Sequence, residues 1–139
     1  MSGLVVDASV GVKWLFSEAE SSLAKALAAS EHNLFAPDLV LVELGAAISK
    51  RVGRGQIVLT EGLTIFETAP RLFDRLVPTL PLLADAMAIA QALHHQLYDC
   101  VYLALAKRED TRLVTADAHL IRKVASSSFA DRVVALTDV

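Results

Sequence analysis

Short aliphatic runs without polar alternation recur along this chain, and they restrict its fold more than any other feature. Gly3–Val6, Asn33–Ala36, Arg75–Val77, Arg112–Thr115 and Val133–Leu136 each read as a brief strand. Strands of this kind are buried on both faces, the situation of a parallel sheet. Between them lie stretches of helical rhythm: Val10 to Leu15, Leu23 to Ala29, Leu39 to about Val52, Thr60 to about Ala69, Leu82 to His94, Tyr98 to Lys107, and Ala118 to Val124. The alternation predicts an α/β chain of three layers, α/β/α, with a central parallel sheet flanked by helices. Hydrophobic residues make up 54% of the chain and aromatics only 6%, so the core is expected to be Leu, Val, Ile and Ala. A length of 139 residues, with no internal repeat, low-complexity tract or linker, suits a single domain over residues 1–139.

Local signals punctuate the elements. Asp7 or Ser9 is placed to cap the first helix, Asp38 the helix from Leu39, and Thr60 the helix that follows. Pro37 is expected to close the second strand. Gly53-Arg54-Gly55 supplies permissive turn residues, Pro70 ends a helix, and Pro78 and Pro81 bracket a turn.

Asp7, Glu43, Asp99 and Asp117 interrupt apolar stretches: LVVDAS, LVLVELGAAI, LYDCVYLALA and LVTADAHL. An ionised carboxylate among apolar neighbours is costly unless paired or bound to a metal. Several such acids, spread from the first strand to near the last, suggest one shared site at the carboxyl edge of the sheet, where ligand sites form in α/β folds. Oxygen-only ligands favour Mg²⁺ or Mn²⁺ over zinc, and such ions serve phosphoryl chemistry. Each acid also has a plainer reading. Asp7 and Asp117 read as caps, and Asp99 as a complement to a helix dipole. Glu43 is the hardest to explain that way, because its helical neighbours are apolar.

These stretches resemble the PIN domain family, and within it the VapC-type toxins of toxin–antitoxin pairs. VVDASVGVKWLFSE is similar to the family's opening strand and helix, PDLVLVELGAAISK to its second motif, LYDCVYLALAKRE to its third and LVTADAHL to its fourth. The resemblance spans nearly the whole chain. It implies a Mg²⁺- or Mn²⁺-dependent endoribonuclease that hydrolyses RNA phosphodiesters, is frequently a homodimer, and is inhibited by a small cognate antitoxin. It implies that Asp7, Glu43, Asp99 and Asp117 form the catalytic, metal-binding set, with Ser9 and Thr115 as hydroxyls that orient carboxylates. Many relatives carry Asn three residues after the second acid, where this chain has Ala46. A catalytically inactive PIN-fold module that only binds a protein partner is the alternative.

Lys13, Lys50, Arg51 and Arg54 are candidate contacts for RNA phosphates, although a solvated helix end explains the cluster as well. The formal net charge of −3 argues mildly against a general nucleic-acid binder. With the four site acids set aside, the remaining acids nearly balance the 13 Lys and Arg. His94 and His95 read as a helix end, Trp14 as packing, and Tyr98 and Tyr102 as packing around the Asp99 helix. Cys100, the single cysteine, reads as a core residue and suits a reducing compartment. Asp7 and Lys13 break the N-terminal apolar segment, so no signal peptide is expected. The apolar segment Leu82 to Ala106 carries Asp85, His94, His95 and Asp99 and reads as two buried helices, not a membrane span, and a cytoplasmic location is expected. The apolar helices Leu23–Ala29 and Thr60–Leu72 could form a groove for an antitoxin helix or serve as ordinary core.

Overall fold

A computed structural model describes residues 3–139. The aliphatic runs become β1 (Gly3–Val6), β2 (Asn33–Pro37), β3 (Arg75–Val77), β4 (Arg112–Thr115) and β5 (Val133–Ala135). They form one parallel sheet in the order β3-β2-β1-β4-β5. β1 is central, pairing Leu4 with Leu34 on one side and with Arg112 on the other. Val5 and Val6 are wholly buried, as unalternated apolar strands must be. Pro37 is taken into the end of β2, opposite Val77, and Leu136 leaves β5 to open a 3-10 turn.

The helices are α1 (Ala8–Leu15), α2 (Ser21–Ala28), α3 (Leu39–Gly53), α4 (Leu59–Thr68), α5 (Leu83–Leu93), α6 (Leu97–Arg108) and α7 (Ala118–Val124). The chain steps outward from β1 to β2 to β3, then returns to lay β4 against the other side of β1. Right-handed crossovers in opposite directions place their helices on opposite faces. The earlier helices therefore cover one face, where α1 packs on α3, and α5 and α6 cover the other, with α6 against β1, β2 and β4. α6 is buried without interruption from Asp99 through Ala106, which is why its sequence is apolar all round. No helix among the described residues is long and apolar enough to cross a membrane.

Two glycines allow close helix contacts on the first face. A Cβ on Gly11 would lie 3.0 Å from Leu44 Cδ2, and one on Gly62 would lie 2.9 Å from Ile48 Cγ2. The caps expected for α3 and α4 both differ. α4 begins one residue before Thr60, and the side chain of Glu61 instead accepts the Val58 N–H at 3.1 Å. Asp38 has helical backbone angles, whereas a capping side chain needs an extended backbone to fold over the first turn. Its Oδ1 accepts the N–H of Thr79 at 3.0 Å and its hydroxyl at 2.6 Å, tying the start of α3 to the end of β3.

The strand order reverses between β2-β1 and β4-β5, at the carboxyl ends of β1 and β4. In open parallel sheets this switch point is where ligands bind.

Candidate metal centre

Asp7 follows β1 directly, and its N–H continues the ladder to Val114 O at 3.0 Å. It stands at the N-cap position of α1 but makes no cap bond. Its Oδ2 accepts the hydroxyls of Ser9 at 2.6 Å and Thr115 at 2.9 Å. Those hydroxyls accept in turn, Ser9 from the Ala116 N–H and Thr115 from the Asp117 N–H, both at 3.0 Å. The expected capping of α1 by Asp7 or Ser9 is therefore replaced by a knot of hydrogen bonds that locks the ends of β1 and β4 around Asp7.

Glu43 lies in the second turn of α3 and is partly exposed. Its Oε1 accepts the hydroxyl of the wholly buried Tyr102 at 2.6 Å. Tyr102 and the buried Asp99 are one turn apart on α6, so they share a face directed at the same sheet edge. Asp99 Oδ2 meets His95 Nε2 at 2.6 Å and accepts from Gln96 Nε2 at 3.1 Å. Asp117 caps α7, with Oδ1 accepting the His119 N–H at 2.9 Å. Its plainer reading is thus realised for one of its two oxygens.

These acids feel one another. Burial pushes the Asp7 carboxyl up to about 6, the charges of Asp99 and Asp117 add to the rise, and the Ser9 and Thr115 hydroxyls oppose it. Burial likewise pushes Glu43 up to about 7, helped by Asp7 and Asp99 and opposed by the Tyr102 hydroxyl. Carboxylates that desolvate and repel one another are stabilised by a cation between them. Among the described residues, no three His, Cys, Asp or Glu side chains already stand close enough to hold one ion. The donor set nevertheless fits a hard divalent ion. Its groups are carboxylates, and each side-chain or cap bond to Asp7, Glu43, Asp99 and Asp117 falls on a single oxygen, Oδ2, Oε1, Oδ2 and Oδ1 respectively.

The candidate phosphate contacts divide in two. Lys13 Nζ donates to Ala19 O at 2.7 Å and pairs with Glu18 at 3.3 Å. Arg51 pairs with Glu18 at 2.9 Å and lies 3.9 Å above the Phe16 ring. Lys50 and Arg54 are exposed.

Trp14 is a packing residue, edge-on to Phe73, with its indole N–H on Ala24 O at 2.6 Å. Burial, with the Asp99 charge adding, pushes the Cys100 thiol up to about 11, the opposite of a nucleophile. Tyr102 packs in the core as expected and in addition bonds Glu43, whereas Tyr98 is 57% exposed. His95 changes most, from a helix end to a direct partner of Asp99. The signal was present as an i, i+4 spacing to the third acid. An apolar groove of about 260 Å³ runs between α3 and α4, with Ile48, Val52, Leu59, Leu63 and Phe66 among its walls. α2 takes no part in it and instead packs on α1.

A family model described as the PIN domain matches residues 4–126. No curated protein matches at a significant level. Among solved structures, the PAE2754 protein from Pyrobaculum aerophilum is similar with a TM-score of 0.73 at 20% identity, over 98% of this chain and 85% of that one. A structure described as a toxin–antitoxin complex from Klebsiella pneumoniae is similar with a TM-score of 0.69, also at 20% identity, over 99% of this chain and 100% of that one.

Proposed function

We propose, from the premise that the chain belongs to the PIN domain family, that it is a Mg²⁺- or Mn²⁺-dependent endoribonuclease acting as the toxin of a toxin–antitoxin pair. The observation that carries this reading is the mutual influence of the acids: on top of burial, Asp99 and Asp117 raise Asp7, and Asp7 and Asp99 raise Glu43.

In this reading Asp7, Glu43 and Asp99 hold the ion, and Asp117 completes the pocket. Bound there, the ion supplies an activated water and neutralises charge on the scissile phosphate. Ser9 and Thr115 fix Asp7 by occupying Oδ2, and Tyr102 fixes Glu43 in the same manner. The exposed Lys50 and Arg54 are the freer candidates for RNA phosphates, since Lys13 and Arg51 are paired with Glu18. A small antitoxin would lay an apolar helix into the groove between α3 and α4 and present a basic side chain to the acids. The toxin would act in the cytoplasm as a homodimer of single-domain chains.

Incubating the purified protein with total RNA, with Mg²⁺, Mn²⁺ or EDTA and beside Asp99→Asn, tests this. Discrete metal-dependent fragments absent with the variant support it. An inactive interaction module that binds only a protein partner is the second reading, favoured by the apolar groove between α3 and α4. No cleavage under any metal, together with antitoxin binding that Asp99→Asn leaves unchanged, would establish that reading instead.

A further inference from the structure

His95 is placed by an unusual backbone. His94 ends α5 in the left-handed region, at φ 52 and ψ 50. That conformation is uncommon outside glycine and persists where its surroundings hold it. It turns the chain so that the His95 N–H bonds back to Ala90 O at 3.1 Å and α6 begins at Leu97. The His95 side chain is 4% exposed, and its Nε2 lies 2.6 Å from Asp99 Oδ2. An ionised carboxylate offers only lone pairs, so Nε2 carries the proton in this bond. On its other side the His95 ring lies 5.5 Å from the ring of His119, tilted by 34°. The His119 N–H in turn caps onto Asp117 Oδ1. Asp99 and Asp117, on separate elements, are therefore linked through His95 and His119.

We propose that His95 is a positioning residue of the metal centre. With Gln96 it anchors Asp99 Oδ2, leaves Oδ1 for the ion, and through its contact with His119 sets Asp99 relative to Asp117. The inference rests on the metal-dependent reading above. Partners that hydrogen-bond a metal's carboxylate ligands matter because they fix which oxygen faces the ion, and their loss typically costs 10–100-fold in metal affinity.

The test is calorimetric titration of the full chain with Mn²⁺, with thermal melting of the metal-free proteins alongside. His95→Phe keeps a ring against His119 and removes the donor, while His95→Gln restores an N–H at nearly the position of Nε2. Mn²⁺ binding is expected to weaken roughly 10–100-fold in His95→Phe and to recover most of that loss in His95→Gln, with both variants folded at the titration temperature. Equal binding by His95→Phe and wild type would overturn the positioning role alone. So would His95→Gln binding as weakly as His95→Phe, because packing rather than the hydrogen bond would then be responsible. If the wild type takes up no Mn²⁺, the metal-dependent reading falls and this inference with it.

Discussion

The Tyr102 hydroxyl lies 2.6 Å from Glu43 Oε1, joining α6 on one face of the sheet to α3 on the other around its carboxyl edge. Burial raises the proton affinity of Glu43, and this hydrogen bond is the one contact that lowers it. Tyr102→Phe keeps the ring and deletes the donor. Because metal binding competes with protonation, the acid limb of Mn²⁺ binding should move to higher pH in this variant. Titrations at a series of pH values would show it, and an unmoved limb would mean that the hydroxyl does not tune Glu43.

Asp99→Asn removes one of the charges that raise both Asp7 and Glu43. Cleavage should fall to background. Relief of repulsion on the order of 1 kcal/mol should raise the metal-free melting temperature by about 3 °C for a domain of this size. A lower melting temperature would show that Asp99 is a structural partner first.

The metal-free protein should lose stability as pH rises from about 4 to about 7. Asp7 and Glu43 have ordinary carboxyl values of 3.8 and 4.5 and folded values of about 6 and about 7. In that window the native state holds protons that the unfolded state has released, so the unfolding free energy falls with pH. Their contribution is fully present below the unfolded values and gone above the folded ones. Saturating Mn²⁺ should flatten or reverse the slope, since it binds the native carboxylates. Denaturant melts at four or five pH values, with and without metal, would decide.

Gly62→Ala should destabilise although alanine is the better helix former. The added methyl would meet Ile48 Cγ2 at 2.9 Å and Val52 Cγ2 at 3.2 Å. Overpacking typically costs 1–3 kcal/mol, against about 1 kcal/mol gained in propensity. Melting should show a net loss, and a peptide bound in the α3–α4 groove should bind more weakly. A stabilised variant would mean that α4 shifts freely.

Removing Lys50 or Arg54 should lower the salt slope of RNA binding by about 1 each without affecting melting. Lys13→Ala should instead lower stability, because its ammonium closes the Glu18–Ala19 loop. If Lys13→Ala changes only the salt slope, the pairing with Glu18 opens when RNA arrives.

The strands were readable because buried parallel strands need unbroken apolar runs, and Leu4 to Val6 and Leu113 to Val114 have no other use for theirs. The acids were readable because they break such runs. Strand order was not, since it depends on which neighbour β1 finds and not on anything local to Gly3–Val6. The same reason hid the partners: Tyr102 looks like core in LYDCVYLALA, and only the folded edge brings it to Glu43, 59 residues away. Thr60 resembled a cap because its type is right, but the Glu61 side chain takes Val58 instead.

The placement of β1 between β2 and β4 also orders events during synthesis. The first strand made must wait for Arg112–Thr115 before its second flank is covered. Until then Asp7 has no Thr115 hydroxyl, and Asp117 does not yet exist in the nascent chain. The α3–α4 groove is complete in sequence by Thr68. At about 5–20 residues per second, a ribosome needs several seconds to pass from there to Asp117. The residues of the groove are therefore all present in the nascent chain before the acidic edge of the sheet can be assembled.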